Sequence, residues 1–133
     1  MKGSRVVLFA LALGLLARDV PLSAHHGGSD YDQQHLVTLK GTVTEFDWTN
    51  PHVQIFLDVK DGSGKLTNWG IEGSAPAVLK RAGWRAETLH SGDQVTLTVA
   101  PSKKGTAVAA LRKAVLPDGK ELSSGQLGEQ PTQ

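Results

Sequence analysis

Apolar and polar residues alternate with a period of two along most of the central part of this chain, which has 133 residues in all. Such alternation is typical of β-strands that bury one face and expose the other. We therefore expect five main strands and a brief sixth one. They are predicted at residues 37–44, 52–59, 66–72, 94–99 and 107–116, with the sixth after a turn at 117–119.

Glycines and turn residues separate these segments and mark irregularities within them. Gly41 permits a bend or bulge in the first strand. The alternation slips at Phe46 and Trp48, which predicts a bulge before the second strand. Turns are expected at residues 49–51, 61–64 and 101–105.

One short helix is expected between the third and fourth strands. Ser74 lies near its predicted N-cap, Pro76 falls in its first turn, and Gly83 stops it. Three strands, a helix and two further strands, with a glycine in the first strand, follow the order of an OB-fold barrel. We predict an all-β domain with one short helix, built as an OB-fold-like antiparallel barrel of five to six strands. A small open β-sandwich is the alternative, because periodicity does not distinguish closed from open sheets.

The first 24 residues are predicted to be a secretory signal peptide. Basic residues Lys2 and Arg5 precede 12 apolar residues at positions 6–17, and Ala24 provides a small residue before the expected cleavage site. The alternative is an uncleaved anchor, but a helix needs about 20 apolar residues to cross a bilayer. We therefore expect export to the periplasm and no membrane contact after cleavage. The predicted organisation is a signal peptide at 1–24, an N-terminal arm at 25–35, an OB-like β-barrel domain at 36–122 and a flexible tail at 123–133.

Charge and cysteine content exclude several function classes. The leader carries three basic residues and one acidic residue, so the remaining 109 residues carry 11 basic and 12 acidic ones. This balance argues against nonspecific nucleic-acid binding, which needs a basic surface. The chain has no cysteine, which excludes disulfides, thiolate metal sites and thiol nucleophiles.

Four short motifs are spread along the predicted mature chain. They are the His25-His26 start, the Gly-Thr-Val beginning at Gly41, the Trp-x-Asn-Pro-His ending at His52, and the Gly-Trp ending at Trp84. Together they resemble the motifs of a known family of small exported bacterial proteins of unknown function. The resemblance covers about residues 25–122 and implies an exported OB-like protein with no established activity.

The stretch from Trp48 to His52 is the most specific candidate for a ligand site. In one interpretation Trp48, Asn50 and His52 line a ligand or partner surface at the mouth of the barrel. In the other, Trp48 fills the core and His52 is a hydrogen-bonded turn residue. Trp69 and Trp84 are predicted to be core residues.

A metal site is the alternative function, with His25, His26 and His52 as its candidate ligands. If the signal peptide is cleaved after Ala24, His25 offers its α-amino group and its imidazole together, and nitrogen-rich sites of this kind favour Cu(II). The opposing interpretation is a solvated arm without a metal. No other cofactor is expected.

The sequence carries no nucleophile elbow, no phosphate-binding loop, no His-Glu-x-x-His zinc motif and no Cys-x-x-Cys-His haem motif. The acidic pair Asp30 and Asp32 can complete a metal site near the histidines, or it can be a solvated part of the arm. Because the catalytic motifs are absent, we predict a non-enzymatic binding module first, a copper-binding protein second, and a small hydrolase or oxidase last.

Overall fold

The computed structural model describes residues 30–125 of the chain. The predicted signal peptide and both His25 and His26 lie outside the described residues, as do residues 126–133 of the predicted tail. The elements are β1 (Val37–Asp47), β2 (Gln54–Lys60), β3 (Leu66–Glu72), α1 (Pro76–Arg81), β4 (Gln94–Pro101), β5 (Val108–Val115) and β6 (Glu121–Ser123).

The strands form one sheet in the order β3-β2-β1-β4-β5-β6, and an additional pairing between β3 and β5 closes it into a five-stranded barrel. β6 extends the sheet beyond β5. The predicted OB-like barrel with one short helix is therefore confirmed, and the closed form replaces the open sandwich. The closing pair is parallel, whereas the other pairs are antiparallel. Expecting antiparallel strands throughout was wrong at this one contact, because α1 and β4 intervene between β3 and β5 and return the chain in the same direction.

β1 serves both halves of the barrel. Its first part pairs with β4 and its second part pairs with β2, with Thr42 in both registers. The register shifts between Val43 and Glu45, slightly before the predicted bulge. A Cβ atom at Gly41 would clash with the carbonyl oxygen of Asp58, so glycine is required where β1 crosses closest to β2.

The core fills the barrel and continues beneath α1. Trp84 is fully buried, and its Nε1 donates a hydrogen bond to the Ser123 carbonyl oxygen at 2.8 Å. Trp84 is thus a core residue as predicted, while Trp69 is only half-buried against the core cluster. The other buried hydrophobic residues with no exposed surface are Val53, Ile55, Leu57, Ile71, Leu79, Leu97, Val99, Ala100, Ala109 and Ala114.

The helix is shorter than the predicted segment, and its ends are formed differently. The N-cap residue is Ala75, which makes no side-chain cap hydrogen bond. Ser74, expected near the cap, instead donates its hydroxyl to the Ser124 carbonyl oxygen at 2.8 Å, so it joins the helix start to the end of β6. Gly83 has φ +97° and ends the helix as predicted. Within residues 30–125, no helix has the length and hydropathy needed to cross a membrane.

Candidate ligand-binding groove

The outer face of β2 and β3 lies between two loops, the β1–β2 loop and the β4–β5 loop. Ile55 and Ile71 are paired across these strands and are both buried in the barrel. Because side chains alternate along a strand, their neighbours point outward in two cross-strand pairs, Gln54 with Glu72 and Phe56 with Gly70. OB-fold proteins bind ligands at this face and these two loops.

The segment before β1 is joined to the β4–β5 loop by backbone hydrogen bonds. The Asp32 N–H donates to the Pro101 carbonyl oxygen at 2.8 Å, and the Lys103 N–H donates to the Asp30 carbonyl oxygen at 3.0 Å. Tyr31 forms an isolated β-bridge with Ser102 between them. These contacts hold the Tyr31 side chain over the end of β3.

Glu72 is the centre of the site, because two side chains from distant parts of the chain meet at its carboxylate. The Tyr31 hydroxyl donates to Oε2 at 2.9 Å, and Nδ1 of His52 lies 2.8 Å from Oε1. A carboxylate only accepts hydrogen bonds, so Nδ1 carries the proton, and Nε2 is the acceptor of the neutral ring. The side chain of Glu72 is 20% exposed and that of His52 is 46% exposed.

The surroundings of Tyr31 disfavour its ionised form. Burial of the ring is the largest cause, followed by the hydrogen bond to Glu72 and the negative charges of Glu72 and Asp30. Together they raise the pKa of Tyr31 to about 12. Tyr31 is therefore a neutral hydrogen-bond donor at physiological pH, and it is unsuited to bind a metal as a phenolate.

Two cavities share Tyr31 and Glu72, and we call them together the Glu72 groove. The larger, of about 570 Å³, is lined by Tyr31, Gln33, His52, Glu72, Gly73, Ser74, Ala75, Val78, Ala110 and Arg112. The smaller, of about 360 Å³, is lined by Asp30, Tyr31, Gln54, Phe56, Gly70, Glu72, Ser102, Lys104, Thr106 and Val108. Both volumes lie in the range of small-molecule sites.

A still larger cavity, of about 670 Å³, is lined by residues that include Gly41, Asp58 and Leu66. Size alone would favour it as the ligand site. The acid that lines it, Asp58, has only a local contact: it accepts a hydrogen bond at 2.8 Å from the amide of Asn68, its cross-strand neighbour. The Glu72 groove instead joins an acid, a histidine and a phenol from three separate segments, and this convergence is the stronger sign of a site.

The three predicted ligand-site residues are not placed together in this groove. His52 lines its larger cavity, whereas Trp48 and Asn50 are not among the lining residues. Trp48 is half-buried against the core, and its ring centroid is 5.7 Å from that of Phe46. Asn50 is exposed in the β1–β2 loop, before a cis peptide bond to Pro51.

Neither Tyr31 nor Glu72 is predicted from the sequence to be a site residue. Their hydrogen bond joins positions 41 residues apart, and no local pattern encodes that contact. The available signal was the outward position of Glu72 at the end of a predicted strand.

Within residues 30–125, no three His, Cys, Asp or Glu residues lie close enough together to hold a metal ion. The acidic arm residue Asp32 has local partners: its carboxylate lies 2.9 Å from Nδ1 of His35 and accepts the backbone N–H groups of Gln34 and His35 at 3.1 Å. These contacts are those of a turn-stabilising aspartate. The other two predicted metal ligands, His25 and His26, lie outside the described residues.

Comparison with known proteins gives a family but no activity. A family model with the description "Family of unknown function (DUF6152)" matches residues 12–111. No curated protein matches the chain. Since the model spans well over half of its residues, the chain belongs to this family of unknown function, DUF6152.

Proposed function

We propose that this protein is exported to the periplasm and acts there as a non-enzymatic binding module, with the Glu72 groove as its ligand site. One observation carries the proposal: Tyr31 and His52 both contact the carboxylate of Glu72, between the two loops that OB-fold proteins use for binding. The export part rests on the predicted leader at residues 1–24.

The arrangement of these three groups suits binding of a small polar molecule. Glu72 is held at both carboxylate oxygens before any ligand arrives, so little side-chain freedom is lost on binding. His52 keeps Nε2 as a second hydrogen-bonding atom on a ring that is nearly half exposed. The groove therefore offers fixed polar groups beside an apolar surface, which is the usual composition of a ligand pocket.

A thermal-shift screen of the exported protein tests this proposal. The probes are neutral sugars, amino acids, dipeptides, inorganic phosphate and divalent metal salts. We expect at least one class to raise the melting temperature, because a ligand that binds only the folded state stabilises it. His52→Ala should abolish that increase while leaving the melting temperature of the free protein nearly unchanged.

His90→Ala is the matched control. His90 also lies near an aspartate, at 3.8 Å from Asp93, but its side chain is 70% exposed and it does not line the groove. It should retain the ligand-induced increase. If no probe class stabilises the protein, or if both alanine variants respond like the wild type, the proposed ligand site is wrong.

A second candidate function is copper(II) binding by His25, His26 and His52. It is favoured by the contact between Glu72 and Nδ1 of His52, because metal-binding histidines commonly donate one ring nitrogen to a carboxylate and bind the metal with the other. His26 precedes Asp30 by four residues. An extended segment of that length spans at most about 14 Å, and Asp30 itself lines the Glu72 groove.

Copper titration of two forms of the mature chain tests this second function. One form begins at His25 and the other carries one additional residue before it. Copper binding that is tight in the first form and weakened by both the extension and His52→Ala supports the shared site. Equal affinity in all forms, or no binding, contradicts it.

A further inference from the structure

Gly70 lies at the floor of the smaller cavity of the Glu72 groove, and the fold does not explain why it is glycine. It is not among the glycines with positive φ. A Cβ atom there would lie 3.7 Å from Cε1 of Phe56 and 3.7 Å from Cγ1 of Val108, which is ordinary van der Waals contact. Alanine would therefore fit, and alanine is the more favourable residue in a strand interior by about 0.5–1 kcal/mol.

Gly41 shows what a glycine required by the fold looks like. A Cβ atom there would clash with the backbone of Asp58, which cannot move without displacing β2. The two glycines thus differ in kind. A glycine inside a strand marks a bulge, a tight bend, or a place where a ligand or another backbone approaches closely. The register between β2 and β3 has no shift at Gly70, and a Cβ atom there would meet no backbone atom within 4 Å, which leaves the approach of a ligand.

The residues around Gly70 indicate the chemistry of that ligand. Phe56 on β2 and Val108 on β5 are the cross-strand neighbours of Gly70, and Val108 is 41% exposed, so the floor is apolar and accessible. The remaining lining residues are polar or charged: Asp30, Gln54, Glu72, Ser102, Lys104 and Thr106, besides Tyr31.

Such a site matches a neutral sugar. A pyranose ring has an apolar C–H face that packs on aromatic and aliphatic side chains, and hydroxyl groups at its edge that pair with carboxylates and amides. Two acids against one lysine leave the lining negatively charged, which repels phosphate or sulfate groups. From this geometry we infer that the smaller cavity binds a neutral saccharide, with one ring packed on the apolar floor that Phe56, Gly70 and Val108 form together.

This inference rests on the proposed function, because it assigns a ligand class to one half of the Glu72 groove. The test is saturation-transfer NMR of the exported protein with glucose, N-acetylglucosamine and cellobiose. Glucose 6-phosphate and a neutral dipeptide are the comparison probes. We expect transfer to the neutral sugars, strongest at the ring C–H protons, and much weaker transfer to the phosphorylated sugar.

Gly70→Ala is the decisive variant, since it adds one methyl group to the floor. It should weaken sugar binding by about tenfold or more while keeping or raising the melting temperature. Gly62→Ala, at a turn where a Cβ atom would meet nothing within 4 Å, is the matched control and should bind as the wild type does.

Three outcomes would overturn the inference. One is absence of transfer to any sugar while another probe class still binds in the groove, which leaves the proposed function standing. Another is preference for the dipeptide. The last is a Gly70→Ala variant that binds sugar normally, or one that loses stability because Phe56 covers the glycine for structural reasons.

Discussion

Ionisation of Tyr31 reports directly on the contacts at the centre of the Glu72 groove. The chain has one tyrosine, so tyrosinate absorbance measures this residue alone. Its hydroxyl donates to Glu72 at 2.9 Å. Replacing Glu72 with glutamine keeps the size of the side chain and an acceptor oxygen but removes the negative charge.

The expected change in the pKa of Tyr31 follows from the causes that raise this pKa in the wild type. Burial, the hydrogen bond to Glu72 and the charges of Glu72 and Asp30 raise the pKa of Tyr31 from 10.0 to about 12. Glu72→Gln removes one charge and weakens the hydrogen bond, while burial, the largest cause, remains. We therefore expect the pKa of Tyr31 in the variant to fall between 10.0 and the wild-type value.

The assay is absorbance at the tyrosinate band during an alkaline titration, with circular dichroism to confirm that the protein stays folded. Glu87→Gln, at an exposed loop position, is the control and should leave the midpoint unchanged. Two results would refute the contact between Tyr31 and Glu72. One is a titration midpoint of Tyr31 near 10.0 in the wild type, and the other is the same midpoint in Glu72→Gln as in Glu87→Gln.

The same shift makes stability depend on alkaline pH. The folded pKa of Tyr31 lies above its unfolded value, so the folded state holds this proton more tightly. The resulting stabilisation is complete below pH 10.0 and is lost as pH rises through about 12. In Glu72→Gln the loss should be smaller and should end at lower pH, which urea unfolding at a series of pH values will measure.

Three further predictions concern stability. Gly41→Ala should destabilise the protein by about 2 kcal/mol or more, which lowers the melting temperature by at least about 8 °C. Gly70→Ala should instead stabilise it by about 0.5 kcal/mol. Equal effects of the two substitutions in thermal melts would contradict the contrast between the two glycines. Trp84→Phe should cost about 1–3 kcal/mol in urea unfolding, because the Ser123 carbonyl oxygen loses its donor, and an unchanged midpoint would show that this hydrogen bond contributes nothing. The hydrogen bond from Ser63 is the main cause that lowers the pKa of Asp61 below 3.8. The stabilisation from the ionised Asp61 is therefore lost as pH falls through that lowered pKa. In Ser63→Ala, carbon NMR should find the pKa of Asp61 closer to 3.8, and an unchanged pKa would argue against the turn contact.

Local patterns in the sequence are sufficient to predict most of the strands of the barrel. The segment Leu66–Glu72 was predicted with the observed bounds, because alternation and a glycine-rich turn both mark it. Ser74 lies next to the N-cap residue, as predicted, but local sequence does not reveal that its hydroxyl binds Ser124, 50 residues later. The parallel contact between β3 and β5 was missed for the same reason: it joins segments that are distant in the chain.

The candidate site was predictable only in part. Of the three predicted ligand-site residues, His52 lines the Glu72 groove, and the turn motif before it is visible in the sequence. Glu72 and Tyr31 carry no motif, and their role depends on a tertiary contact that closes only when the N-terminal segment pairs with the β4–β5 loop. Trp48 was a site candidate from its motif, but its ring packs against Phe46 and the core.

The most direct test of the central claim is a map of backbone amide shifts on ligand titration. The probe is whichever compound gives the largest thermal shift. If the ligand binds in the Glu72 groove, the shifted amides will cluster at Tyr31, His52, Gln54, Gly70 and Glu72, and Glu72→Gln will reduce the shifts. Shifts that cluster instead around Gly41 and Asp58, which line the cavity of about 670 Å³, would contradict the proposed ligand site.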